Sequence, residues 1–194
     1  MESEIGISCL QCSSDGITML SSSSEIPYFG EFTQITLCCD NCGWKHTDFI
    51  PSDGELPGYC SLILDSPQKM EARVVRSSSC TVRLPELDLE VIPGGSSSGF
   101  VTNVEGLINR FEDAIGTIVR GSLEGPSKES GDAIQLLERL SRVKSGNEVV
   151  TVELLDPRGR SQIIHDQANQ RQLDEKEMQE LPTGVDIPIS DLPS

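Results

Sequence analysis

Two closely spaced cysteine pairs are the residues of this sequence best suited to chemistry. Cys9 pairs with Cys12 and Cys39 pairs with Cys42, and 26 residues lie between the two pairs. A C-x2-C segment can place two sulfurs on one ion, and two such segments complete a tetrahedron of thiolates about 2.3 Å from zinc. Because soft thiolates favour zinc and four of them leave no open coordination position, the spacing predicts one structural Zn²⁺ ion.

One cysteine next to these pairs is an alternative ligand. Cys38 adjoins Cys39 and could replace it, although its spacing to Cys42 would be C-x3-C. Gly43 follows the second pair and tolerates the positive φ that turns backbone amides toward the sulfurs. Ser13 holds the equivalent position after the first pair, which makes that turn atypical. We assign Cys39 as the ligand and keep Cys38 as the alternative.

The remaining cysteines and histidines do not form a convincing catalytic group. Cys60 and Cys80 lie in apolar, strand-like segments, where a free cysteine usually acts as a small buried side chain. His46 follows a cysteine set that is already complete. His165 beside Asp166 could form a base and its orienting acid, but no nucleophile motif accompanies them. Since no phosphate-binding glycine loop occurs either, we expect a protein that is not an enzyme.

The charge of the chain narrows the kinds of partner it can have. Its 194 residues include 31 acidic and 15 basic ones, for a formal net charge of -16, and the basic residues are scattered. Such a surface repels phosphate backbones, so the charge opposes nucleic acid as a partner and favours a basic protein. No apolar stretch reaches the roughly 18 residues that cross a membrane, and the chain opens without a signal sequence. We expect a cytoplasmic protein without a membrane segment.

The elements that must position the cysteines follow from the pattern of apolar residues. Residues 1–50 form one block with short strand-like segments, and we assign them to a zinc ribbon. Residues 51–194 are rich in short β segments and form a second, β domain. Helical spacing of apolar residues interrupts this domain at about 102–145, first behind the capping-box sequence Thr102–Glu105 and then from Ala133 to Val143. The fold class is therefore mostly β with an inserted α-hairpin.

Several further motifs, in a fixed order along the chain, resemble the ZPR zinc-finger family. They lie on both sides of the helical hairpin as well as in the ribbon. They are Ile26-Pro27-Tyr28-Phe29-Gly30-Glu31, Cys42-Gly43-Trp44, Arg73-Val74-Val75-Arg76-Ser77, Leu84-Pro85-Glu86-Leu87, Thr102-Asn103-Val104-Glu105-Gly106-Leu107 and Asp156-Pro157-Arg158-Gly159-Arg160-Ser161.

This resemblance covers nearly the whole chain, which contains one copy of the module, as archaeal members do. It implies a zinc ribbon followed by a double-stranded β-helix-like domain. It also implies a non-enzymatic protein that binds translation elongation factor one-alpha and assists its folding or maturation. The alternative is a zinc ribbon that binds nucleic acid or joins a transcription assembly.

Four residues are candidates for contact with the partner. Trp44 and Lys45 follow the second cysteine pair at the tip of the ribbon, where an aromatic side chain can anchor an interface. Packing of Trp44 against the ribbon itself would explain this residue equally well. Arg73 and Arg76 belong to a motif shared with the family, and buried hydrogen bonding would explain them equally well.

Overall fold

A computed structural model of the chain describes residues 2–26, 30–51, 58–95, 97–121 and 128–182. The first part, here called the ribbon, is a four-stranded antiparallel sheet in the order β1-β2-β3-β4. Pro27–Phe29 of the first motif above lie outside the described residues. The strands are β1 (Glu2–Ser8), β2 (Asp15–Ile26), β3 (Gly30–Cys38) and β4 (Lys45–Pro51).

Apolar residues two apart build the ribbon's core. Ile17 and Met19 on β2 lie on one face because successive side chains of a strand point to opposite sides, and Ile35 and Leu37 do the same on β3. All four side chains are buried, and Ile5 of β1 packs with them. This core holds the two hairpins, β1–β2 and β3–β4, side by side.

The second part, here called the two-sheet domain, contains a five-stranded and a three-stranded antiparallel sheet. The strand orders are β12-β5-β10-β7-β8 and β11-β6-β9. Apolar side chains from both sheets share one core. The strands are β5 (Tyr59–Leu64), β6 (Arg73–Arg76), β7 (Thr81–Leu84), β8 (Leu89–Val91), β9 (Phe100–Asn103), β10 (Val150–Leu155), β11 (Gln162–Ile164) and β12 (Asn169–Arg171).

Two helices, α1 (Val104–Gly121) and α2 (Lys128–Lys144), are inserted between β9 and β10. They pack against each other and close one side of the core with Leu107, Phe111 and Leu140. The β-rich fold with an inserted helical hairpin confirms the fold class expected from the sequence.

The start of α1 differs by one residue from the expected capping box. The Asn103 side chain, rather than that of Thr102, accepts a hydrogen bond from the backbone N–H of Gly106, at 2.8 Å. A Cβ atom at position 106 would collide with the Thr102 hydroxyl. Asn103 therefore caps the helix, and any side chain at position 106 would force the Thr102 hydroxyl to move.

A third, short helix, α3 (Glu175–Glu180), lies near the end of the described chain. Asp174 and Glu177 form a capping box at its start, in which each side chain accepts from the backbone N–H of the other. None of the helices among the described residues has the length and apolarity needed to cross a membrane.

Candidate metal centre and domain junction

The four predicted cysteine ligands meet at one end of the ribbon. The Sγ atoms of Cys9, Cys12, Cys39 and Cys42 all lie within 4.8 Å of one another. Cys9 Sγ is 3.7 Å from Cys42 Sγ, and Cys12 Sγ is 3.7 Å from Cys39 Sγ. A tetrahedral site with zinc–sulfur distances of about 2.3 Å requires sulfurs about 3.8 Å apart. The geometry therefore fits a Zn²⁺ ion that is bound by four thiolates.

Each cysteine pair occupies the turn of one hairpin, and the two turns have the same backbone structure. The amide of Ser13 donates to the carbonyl of Cys9, and the amide of Gly43 donates to that of Cys39, both at 2.8 Å. Ser13 has a φ of 57° and Gly43 a φ of 74°. The first turn thus adopts the left-handed conformation without a glycine, and the atypical residue leaves the geometry unchanged.

Ser14 supports the thiolates that zinc needs. Its hydroxyl lies 3.0 Å from Cys12 Sγ and 3.3 Å from Cys39 Sγ. This hydrogen bonding lowers the pKa of both thiols, and with a second bond from the Asn41 amide it brings the pKa of Cys12 to about 5. Because the ligand is the deprotonated sulfur, Ser14 favours the metal-binding form of Cys12 and Cys39. The opposite holds for Cys42: against a backbone hydrogen bond from Trp44, burial and the neighbouring sulfurs raise its pKa to about 12, and its proton must leave when the metal binds. Ser14 is not a candidate site residue from the sequence alone, and its only signal there is its position directly after the first turn.

The structure separates Cys38 from the metal centre. Cys38 is the last residue of β3 and pairs with Lys45 across the sheet, whereas its neighbour Cys39 begins the turn. Adjacent residues of an extended chain point in opposite directions, so only one of the two can face the other sulfurs. Cys60 and Cys80 are 1% and 0% exposed inside the two-sheet domain, as expected for structural thiols.

Trp44, directly before β4, and His46, on β4, form a stacked pair just beyond the metal centre. Their ring centroids are 5.8 Å apart and their planes are inclined by 9°. Trp44 is half-buried against the ribbon's core, and His46 is 1% exposed. Neither ring nitrogen of His46 has a hydrogen-bond partner among the described residues. Burial lowers the pKa of His46, and the nearby Arg158 charge adds to this, while Asp48 opposes it.

Asp48, two residues further along β4, joins the ribbon to the two-sheet domain. Its Oδ1 accepts from the backbone N–H of Ser78 and its Oδ2 from the Ser78 hydroxyl, both at 2.9 Å. The Arg160 guanidinium lies 3.4 Å from Oδ2. Asp48 is 0% exposed, and the amide of Gly99 donates to the carbonyl of Thr47 beside it. A buried carboxylate with these partners fixes the position of one domain on the other.

A second buried carboxylate organises the other side of this junction. Asp156 Oδ2 accepts from the hydroxyls of Ser77 and Ser161, at 2.7 and 2.6 Å, and Oδ1 accepts from that of Ser79, at 2.6 Å. The backbone amides of Arg158 and Arg160 complete the set. The turn that contains Asp156 is therefore held against the segment that follows β6.

The candidate partner residues occupy different environments. Lys45 and Arg73 are exposed on β4 and β6. Arg76 is 5% exposed, and its guanidinium donates to the carbonyl of Cys80 at 2.8 Å and to the Ser97 hydroxyl at 3.2 Å.

His165, considered above as a possible catalytic base, has a local backbone partner: its Nδ1 accepts from the amide of Gln167. Among the residues that the structure describes, no nucleophilic side chain forms a hydrogen bond with His165.

Asp48 and Ser78 form the hydrogen bonds of the junction, yet neither is a candidate site residue from the sequence alone. A signal was present in the alternation of His46 and Asp48 along β4, which places these two side chains on one face, with Trp44 two positions before them. Polar residues on such a strand face are usually exposed to solvent. Here the two-sheet domain covers this face and buries them.

Comparison with known proteins agrees with this geometry in both parts of the chain. A family model described as the ZPR1 zinc-finger domain matches residues 3–53, and one described as the ZPR1 jelly-roll domain matches residues 68–181. A ZPR1-like protein of Methanocaldococcus jannaschii is 34% identical over 188 residues, which cover 96% of this chain and 94% of that protein. A ZPR1-like protein of Pyrococcus horikoshii is 32% identical over 85% of this chain and 74% of its own length.

Eukaryotic relatives match over a smaller part of their own length. Human zinc finger protein ZPR1 is 31% identical over 87% of this chain but only 37% of its own. The fission yeast relative, named zinc finger chaperone zpr1, is 26% identical over 82% of this chain and 34% of its own. With both domain models matched in order, and with four cysteines placed to bind zinc, the chain belongs to the ZPR1 family.

Proposed function

We propose that this protein binds translation elongation factor one-alpha in the cytoplasm and assists its folding or maturation, without catalysing a reaction. The proposal extends the resemblance of its motifs to ZPR proteins that bind this factor. The name of the fission yeast relative, a zinc finger chaperone, supports the chaperone-like part.

The observation that carries the proposal is the closed metal centre joined rigidly to a second domain. Four thiolates leave zinc no position for a substrate or an activated water, so the ion acts as a structural element. The buried contacts of Asp48 then hold the ribbon in one orientation on the two-sheet domain. Such an arrangement presents a preformed surface to a protein partner, which reduces the entropic cost of binding.

The charge of the chain fits a basic client. A net charge of -16 attracts a positively charged surface and speeds association at low ionic strength. Lys45 and Arg73 are exposed cations on a chain that is acidic as a whole. Because cations do not attract a basic client at long range, we propose that these two residues form direct contacts that orient the partner.

A direct test uses the zinc-loaded protein and the elongation factor from the same source. We expect a 1:1 complex by analytical ultracentrifugation that weakens as salt rises, and a greater yield of GTP-binding factor when denatured factor is diluted in its presence. Absence of a complex at low salt would disprove the proposal.

Two variants test the surface that makes the contact. Lys45→Ala together with Arg73→Ala should weaken the complex, with Trp44→Phe as a milder change at the ribbon tip. Lys176→Ala is the matched control, because Lys176 is also exposed but lies on α3. Equal affinities for the double variant and the control would remove Lys45 and Arg73 from the interface.

A further inference from the structure

An apolar cavity lies between α1 and the strands beside it. Its volume is about 230 Å³, and its apolar walls include Val82, Val91, Leu107 and Phe111. Val91 is 41% exposed, so the cavity reaches the surface. The cavity lies in the two-sheet domain, whereas the metal centre lies in the ribbon.

Two arginines and one aromatic ring give this cavity a positive rim. The Arg110 guanidinium lies over the Phe100 ring, 4.0 Å from its centroid, and that of Arg76 lies 5.5 Å from the same centroid. Arg110 is exposed, and Arg76 is 5% exposed. We call this site, with Arg76, Phe100, Arg110 and Phe111 as its defining residues, the Phe100 cavity.

Neither guanidinium forms an ion pair with a carboxylate in the described ranges. The hydrogen-bond partners of Arg76 are the carbonyls of Cys80 and Ser98 and the hydroxyl of Ser97, all uncharged. Arg110 contacts the Phe100 ring, which orients the guanidinium at the rim. The buried carboxylates of Asp156 and Asp48 act on the charge of Arg76 through space. Arg110, which is exposed at the rim, forms no ion pair with a described carboxylate and is therefore the cation available to an anion.

The size of the cavity limits which apolar group can bind there together with an anion at the rim. Sites for cofactors and other small molecules commonly enclose about 300–1,000 Å³, more than is available here. The apolar walls nevertheless require an apolar group. A single aliphatic or aromatic side chain meets both conditions, and an adjacent carboxylate would meet the guanidinium of Arg110.

We propose that the Phe100 cavity binds a segment of a partner protein in which an apolar residue stands next to Asp or Glu. The apolar side chain enters between Leu107 and Phe111, and the carboxylate accepts hydrogen bonds from Arg110. This proposal rests on the protein-binding role proposed above, but not on the identity of the elongation factor as the partner.

The test is an NMR titration of the full-length, zinc-loaded, ¹⁵N-labelled protein with short capped peptides. The probe is acetyl-Gly-Leu-Asp-Gly-amide, and the comparison peptides carry Asn in place of Asp or Ala in place of Leu. We expect amide shifts concentrated at Phe100, Leu107 and Phe111. A hydrogen bond to a charged group makes binding of the Asp peptide about tenfold tighter than that of the Asn peptide.

Two variants and one control identify the groups responsible. Arg110→Gln should reduce the affinity for the Asp peptide to that for the Asn peptide. Arg120→Gln, which removes an equal charge from the same helix, should leave the difference intact. Ala114→Leu should abolish binding of all three peptides, because Ala114 is an exposed residue that lines the cavity and a longer side chain would fill it.

Several results would overturn the proposal. These are shifts spread over the whole protein, equal affinity for the Asp and Asn peptides, equal effects of Arg110→Gln and Arg120→Gln, or binding of decanoate but of none of the peptides. The titration contains no elongation factor, so its failure leaves the proposed function standing. Failure of the factor to bind the wild-type protein, in turn, does not affect the titration.

Discussion

Asp48 of the ribbon accepts two hydrogen bonds from Ser78 of the two-sheet domain, one from its backbone N–H and one from its hydroxyl, each at 2.9 Å. The two residues are 30 positions apart and both are 0% exposed. A buried carboxylate is costly unless its oxygens are satisfied, and here Ser78 and Arg160 satisfy both. Phe32 and Phe49 of the ribbon also pack with Val75 of the two-sheet domain, so the junction combines a specific polar contact with an apolar one.

Asp48→Ala should strongly destabilise the protein. The change leaves the Ser78 amide and the Arg160 guanidinium buried without an acceptor, and breaking a buried charge pair costs about 3–5 kcal/mol. Urea unfolding at neutral pH measures the loss. Glu31→Ala is the control, since Glu31 is an exposed residue of the same sheet, and its free energy of unfolding should change by less than about 0.5 kcal/mol. Similar losses in both variants would contradict the role of Asp48.

Asp156→Asn should also destabilise the fold, without removing volume. Asp156 is 0% exposed and accepts five hydrogen bonds, whereas an amide in its place has one acceptor oxygen and presents donors to donors. We expect a loss of about 3 kcal/mol in the free energy of unfolding. Asp166→Asn serves as the control, because Asp166 is exposed and should tolerate the change.

Removal of zinc should unfold the ribbon first. The hairpin turns are held together by the four sulfurs, and binding of a structural metal contributes directly to folding free energy. Cys39→Ser should lower the zinc content and the thermal stability, whereas Cys38→Ser should leave both near the wild-type values. Metal analysis with circular dichroism before and after chelation measures the effect, and an unchanged spectrum after complete removal of zinc would count against it.

The number of cysteines that react with a thiol reagent should distinguish the zinc ligands, the buried cysteines and Cys38. The chain has seven cysteines, of which four form the metal centre and two, Cys60 and Cys80, are buried. Burial also raises the pKa of these two thiols and so suppresses the reactive thiolate. With Ellman's reagent, Cys38 alone should react rapidly in the zinc-loaded protein. Chelation should make the four zinc ligands reactive as well, and denaturant should then expose Cys60 and Cys80.

His46 should make stability depend on pH. Burial lowers the pKa of His46 in the folded protein below its value of about 6.5 in the unfolded chain. As pH falls below that value, the unfolded chain takes up a proton before the folded one does, and the free energy of unfolding decreases. The loss continues until the pH passes the lower pKa of the folded state.

Acid also protonates the thiolates and releases zinc, which lowers stability by a separate route. A comparison with His46→Phe isolates the contribution of His46, because zinc release affects both proteins. Phenylalanine preserves an aromatic ring against Trp44 but does not titrate. Between neutral pH and about pH 5.5, the wild-type protein should lose more stability than this variant, as chemical unfolding at each pH would record. Parallel curves for the two proteins would show that His46 does not contribute.

The metal centre and the helices could be predicted because their signals are local. The spacing of Cys9 to Cys12 and of Cys39 to Cys42 already determines which sulfurs a hairpin turn can bring to one ion. In the same way, apolar residues at helical spacing determine where α1 runs, since neighbours three and four apart share one face. The cap of α1 was misplaced by one residue because Thr102 and Asn103 can both serve, and packing against Gly106 decides between them.

Only the tertiary structure decided which polar residues are buried. Asp48 with Ser78, and Asp156 with Ser77, are joined across 30 and 79 positions of sequence, and nothing in either segment alone distinguishes a junction residue from a solvated one. The same holds for the Phe100 cavity, whose walls come from four separate strands and one helix. Such contacts depend on how sheets and domains pack, whereas the cysteine pairs depend only on chemistry and spacing that the sequence itself specifies.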